Sequence, residues 1–149
     1  MKSCFMFGHR NTPYTILPII EQTIVEHYKK YGTNLFYVGN RGQFDSIAAT
    51  AVKNVKQQYP DICLVLVLAY HPGERSILLP EGFDGSFYPP LENIPRPYAI
   101  VRANRYMVNT ADTIICYVKH PGNAQNLIEY AKKRQVRGSA IIDNIADNS

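Results

Sequence analysis

The chain contains no tryptophan, only three cysteines and no long apolar run. The apolar run from Ile62 to Tyr70 falls well short of the ~20 residues that a helix needs to cross a bilayer. Cys4, Cys63 and Cys116 are odd in number and far apart, with no CxxC pair and no histidine at ligand spacing. That pattern argues against a disulfide framework and against a structural zinc site, so no metal and no cofactor is expected. Neither charge sign dominates. Sixteen Lys+Arg against twelve Asp+Glu leave a net charge of +4, too slight a bias to point to nucleic acid. Low-complexity stretches and internal repeats are also missing. Met1-Lys2 leads through a short apolar stretch straight to Gly8-His9-Arg10, without the pattern of a signal peptide. A cytoplasmic domain with no membrane contact is the expectation.

What is present suits a single folded unit over residues 1–149, with 46% hydrophobic and 19% charged residues. Five short apolar runs stand out: Cys4 to Phe7, Asn34 to Val38, Ile62 to Leu68, Thr113 to Val118, and Ser139 to Ile142. Continuous rather than alternating runs fit strands covered on both faces, as in a parallel sheet. The cysteines within them read as buried core thiols. Helical spacing fills the gaps. Ile16, Ile20, Ile24 and Tyr28 recur every four residues, with Pro18 near the start and Gly32 as a stop. Further helices are predicted over 44–58, 98–109 and 124–134. Strands alternating with helices predict an α/β, Rossmann-like, doubly wound domain: a mainly parallel five-stranded sheet with helices on both faces.

One segment breaks the alternation. Six of the ten prolines and three of the nine glycines fall between Pro72 and Pro97, which predicts a long loop over 70–97. Such a loop suits a lid, a binding loop or a contact in a homo-oligomer. Phe83, Phe87 and Tyr88 either cover a ligand or pin the loop, and for at least two of them pinning is the expectation.

In an open parallel sheet, ligands bind beyond the carboxyl ends of the strands. Three such ends carry turn chemistry. Gly8-His9-Arg10 offers close backbone approach and a forked cation. Gly39-Asn40-Arg41-Gly42, followed by Asp45 in the next helix, reads as an anion nest. His120-Pro121-Gly122-Asn123 opens the last helix. Of the four histidines, His9 has the best claim to a ligand; His71 and His120 read as surface-loop residues and His27 as a helix-face residue.

On these residues the chain resembles the SLOG superfamily, the Rossmann-like group that includes DprA/Smf and the lonely guy phosphoribohydrolases, and most of all its YpsA-like branch. Gly8-His9-Arg10 matches that branch's first turn. Gly39 and Asp45 keep the register of its Gly-Gly-x-x-Gly-x-Asp turn, with Asn40 for the second glycine and Gly42 one residue early. The run Arg102 to Val108 leading to Ala111-Asp112, and Glu129-Tyr130-Ala131, are also similar. The resemblance implies a nucleotide-derived ligand held by Gly8, His9, Arg10, Gly39, Asn40, Arg41, Gly42, Asp45, Arg102, Gly122 and Asn123. The lonely guy pattern Pro-Gly-Gly-x-Gly-Thr-x-x-Glu is matched at Pro121, Gly122 and Glu129 and departed from at Asn123, Gln125 and Asn126. Two alternatives stand beside a binding module. One is an enzyme acting on an N-glycosidic bond, with Glu129 or Asp45 as its carboxylate. The other is single-strand nucleic-acid binding of the DprA kind through Lys132, Lys133, Arg134 and Arg137, against which the low net charge counts.

Overall fold

The computed structural model describes residues 2–71, 73, 78–138 and 140–148. Met1, Pro72 and Ser139, which the sequence reading assigns to the chain start, the long loop and the last strand, lie outside the described residues. The chain runs β1 (Lys2–Gly8), α1 (Leu17–Tyr31), β2 (Thr33–Val38), α2 (Gln43–Lys56), β3 (Cys63–Val67), β4 (Gly85–Phe87), α3 (Ala99–Thr110), β5 (Thr113–Tyr117), α4 (Asn123–Val136) and β6 (Ile141–Asn144). All strand pairs are parallel, in the order β4-β3-β2-β1-β5-β6.

The expected α/β architecture holds, with a sheet of six strands rather than five. The extra strand, β4, lies inside the predicted loop. Three residues, Gly-Ser-Phe, carry no apolar run that would announce a strand. Asp84 builds it instead: its carboxylate accepts the Leu64 N–H at 2.8 Å, and its own N–H donates to the Leu64 carbonyl at 2.8 Å. Lys56 pairs with the same carboxylate.

Alternation along β1 shows why both faces are covered. Cys4 and Met6 join Ile20, Ile24, Ile47 and Val52 in the layer under α1 and α2. Phe5 and Phe7 join Met107, Val108, Leu127 and Ile128 under α3 and α4. Pro18 sits in the first turn of α1, where a missing N–H is harmless, and Gly32 closes the helix at φ 73°. Phe83, Phe87 and Tyr88 all pack against core clusters, so each pins its segment. Cys4 and Cys116 are buried and Cys63 half-buried; burial pushes the Cys4 thiol up to about 12.

His27 lies on a helix face, as expected, and it is the inward one. It lies beside the Ile20–Ile24 stripe and is 2% exposed. Its Nδ1 stands 3.1 Å from Thr113 Oγ1 and its Nε2 3.2 Å from Asp143 Oδ2, so the ring ties α1 to β5 and β6. Burial holds its proton affinity below the ordinary value near 6.5, although Asp143 opposes the shift. Its contribution to stability is therefore complete above about pH 6.5 and is lost as pH falls below that value. Thermal denaturation between pH 7.5 and 5 should show His27→Gln losing less stability on the acid side, relative to its own value at pH 7.5, than the wild type loses.

Candidate functional site

The chain first winds from β1 out to β4, then returns through α3 to β5 on the other side of β1. Strand order thus reverses between β1 and β5, where a doubly wound sheet opens a crevice at its carboxyl edge. A cleft of about 480 Å³ lies there. Three turns wall it, and they interlock.

The turn after β1 is central to this arrangement. The Arg10 carbonyl accepts the Gln43 N–H at 2.9 Å, joining it to the start of α2. A side chain on Gly42 would stand 2.7 Å from Arg10 Cα, so the two turns touch backbone to backbone. On the other side, His9 Nε2 accepts the Lys119 N–H at 2.9 Å and the His120 N–H at 3.4 Å. The His120 ring stacks on His9 with centroids 3.6 Å apart. Below that turn, the Asn144 side-chain amide bonds both the N–H and the carbonyl of Val118 at 3.0 Å, fixing the exit from β5.

Asp45 gives the second turn its character. Its carboxylate accepts the Arg41 N–H at 2.8 Å, so the anion in the expected nest is the protein's own. Burial pushes this carboxyl up to about 6, with the Arg41 and Gly42 N–H groups and the Arg41 charge pulling the other way. The Arg41 guanidinium lies 5.1 Å from the centre of the Tyr70 ring. In the third turn, as at α2, no side chain caps the helix at its N-cap, and the α4 N-cap Gly122 has φ 143° and ψ −166°, a conformation open essentially to glycine alone. The first N–H groups of α4 are thus left to whatever enters the cleft.

Of the residues singled out from sequence, Gly8, His9, Arg10, Gly39, Arg41, Asp45, Gly122 and Asn123 line this cleft. Asn40 and Gly42 shape the second turn without lining it. Arg102 faces a separate groove beside Tyr98 and Arg105. Glu129 lies outside the cleft on the exposed side of α4, where it accepts from Gln125 at 2.7 Å and pairs with Lys132 at 3.4 Å. The basic cluster is also partly committed: the Arg134 guanidinium donates to the Val108 carbonyl and, at 3.0 Å, to the Ala111 carbonyl, capping α3.

Several lining residues had no strong signal in sequence. Ile100 and Asn104 enter one turn apart on α3, and the polar member of that pair was the available clue. His120, expected on the surface, is exposed yet lines the cleft against His9. Among the described residues, no group of three His, Cys, Asp or Glu side chains could hold a metal. Among the same residues, no helix is long and apolar enough to cross a membrane.

No protein-family model and no curated protein matches the sequence. The chemistry of the cleft therefore rests on its own residues. They offer two arginines, an uncapped helix start, a carboxyl whose proton affinity burial raises and a histidine stacked on one ring and met edge-on by another.

Proposed function

We propose that the protein binds a nucleotide or a nucleotide derivative in the cleft between β1 and β5. The observation that carries this reading is the position of the uncapped α4 N-terminus, across a switch-point cleft from Arg10 and Arg41. Helix N–H groups and guanidinium forks both favour phosphate oxygens. Asp45, raised by burial to about 6 and so mostly ionised at neutral pH, suits a sugar hydroxyl as an acceptor. The resemblance to the SLOG superfamily supports the same ligand class. Calorimetry and thermal shift against nucleoside phosphates, ADP-ribose and cyclic nucleotides test it: a true ligand at 100 times its Kd should add about 2.7 kcal/mol of stability. No shift across the panel would sink the reading.

Arg41 gives a sharper test. Arg41→Ala should weaken binding by about ten- to a hundredfold, the worth of a charge-assisted hydrogen bond. Stability should fall by about 1 kcal/mol, for the lost contact with Tyr70 and the lost charge beside Asp45. Arg41→Lys should recover part of the affinity, because it keeps charge and loses the fork. A large drop in Tm with unchanged affinity would overturn the assignment.

A second reading follows from Asp45 alone. A carboxyl with a pKa of about 6 inside the cleft is suited to proton transfer at a glycosidic centre. With Glu129 outside the cleft, Asp45 is the carboxylate on which cleavage of an N-glycosidic bond would rest. Chromatographic detection of base released from nucleoside 5′-monophosphates decides it. Release by the wild type, absent in Asp45→Asn, would make the protein an enzyme.

A further inference from the structure

His9 is 7% exposed, yet its ring lines the cleft. Both hydrogen bonds to the ring come from backbone amides, Lys119 at 2.9 Å and His120 at 3.4 Å, and both reach Nε2. A peptide N–H can only donate, so Nε2 carries a lone pair and the hydrogen of the neutral ring sits on Nδ1. The ring has little freedom to turn away. His120 lies flat against it at an interplanar angle of 7°, and Tyr117 meets it edge-on with centroids 6.1 Å apart. Nδ1 has no hydrogen-bond partner among the described residues. The sealed side-chain atoms without partners there are Thr33 Oγ1 and Asn34 Oδ1, so His9 Nδ1 is not shut away from the cleft.

We infer that His9 is the specificity-determining donor of the cleft: a histidine of fixed tautomer that gives its Nδ1–H to an acceptor oxygen of the bound ligand. The inference rests on the nucleotide reading and adds to it. The amides of the β5–α4 turn occupy the basic nitrogen, so His9 works as a donor and not as a general base. A ligand placing a hydroxyl hydrogen or an amine at this point is refused, and one placing a phosphate or carbonyl oxygen there is accepted. The residue thus couples two tasks through one ring: it fixes the third turn with Nε2 and reads the ligand with Nδ1.

Two substitutions separate the tasks. Glutamine reaches the Nε2 position with a carbonyl oxygen for the turn amides and leaves nothing at the Nδ1 position. Asparagine puts a polar group near Nδ1 and gives up the turn. With AMP as the probe, His9→Gln should keep a Tm close to that of the wild type and bind about tenfold more weakly. His9→Asn should lower Tm. Imidazole ¹⁵N spectra of the unliganded protein at pH 7.5 should show His9 protonated on Nδ1, and AMP should shift that signal. A proton on Nε2, or His9→Gln binding AMP as well as a binding-competent wild type, overturns the inference. A wild type that binds none of the nucleotide panel overturns the nucleotide reading instead, and the spectra still decide the tautomer.

Discussion

Gly8→Ala should cost about 2–3 kcal/mol of stability and remove ligand binding together with it. The added Cβ would stand 2.6 Å from two ring carbons of Phe44, well inside contact distance. Phe44 has nowhere to go. It is 1% exposed, lies in the first turn of α2 and packs in the core beneath β1 and β2. Relief therefore has to come from moving the β1 turn, which carries His9 and the Arg10 carbonyl with it. Phe44→Ala alone should cost about 3–5 kcal/mol by leaving a cavity. In the double variant the new methyl enters space that the ring has vacated, so the loss should fall short of the sum by 1 kcal/mol or more, on the order expected of touching residues. Urea denaturation of the four proteins reads the coupling directly. Strict additivity would mean that Gly8 and Phe44 do not share that space.

The second large effect has the opposite sign. Asp45→Asn should stabilise the protein at pH 7.5 by on the order of 2–3 kcal/mol, at about 1.4 kcal/mol per unit of pKa displacement. Burial raises the Asp45 carboxyl from 3.8 to about 6 in the folded protein. A group whose folded pKa is raised contributes stability in full below its unfolded value and loses it as pH rises through the folded one. Asp45 thus supports the fold below about pH 4 and costs stability above about pH 6. Asparagine keeps an acceptor for the Arg41 N–H without the buried charge, so its advantage should shrink steadily from pH 7.5 to 4. An advantage that does not change with pH would refute the burial argument. His27 works the other way over the upper part of this range, so the wild-type profile is a partial cancellation that only the single variants resolve.

Much of the fold was legible because its causes are local and repeated. The Ile16-Ile20-Ile24 stripe, Pro18 and Gly32 set α1 to within a residue or two. The continuous apolar runs announced five of the six strands. β4 was hidden because its cause is distant: an aspartate side chain pairing with the backbone of a strand twenty residues earlier. The candidate site was legible in part. Turn residues at three strand ends converge, since strand ends must meet where the sheet reverses. Glu129 was drawn in by motif spacing, but it stands two residues past Leu127, about 200° round α4 from that cleft-lining side chain, and so on the outer face. Asp45 holding its own nest, and His9 joining two turns, depend on side-chain directions that spacing does not encode.

The two outermost strands bear on how the molecule meets its neighbours. β4 has three residues and is followed closely by Pro89 and Pro90, while β6 has four and passes at once into a 3-10 turn that buries Ile145. Short borders of this kind leave few free N–H and C=O groups in register for a foreign strand. Sheet extension from copy to copy, the usual route to strand-exchanged dimers and fibrils, has little to template on at either margin. Self-association is thereby left to surfaces other than the sheet margins.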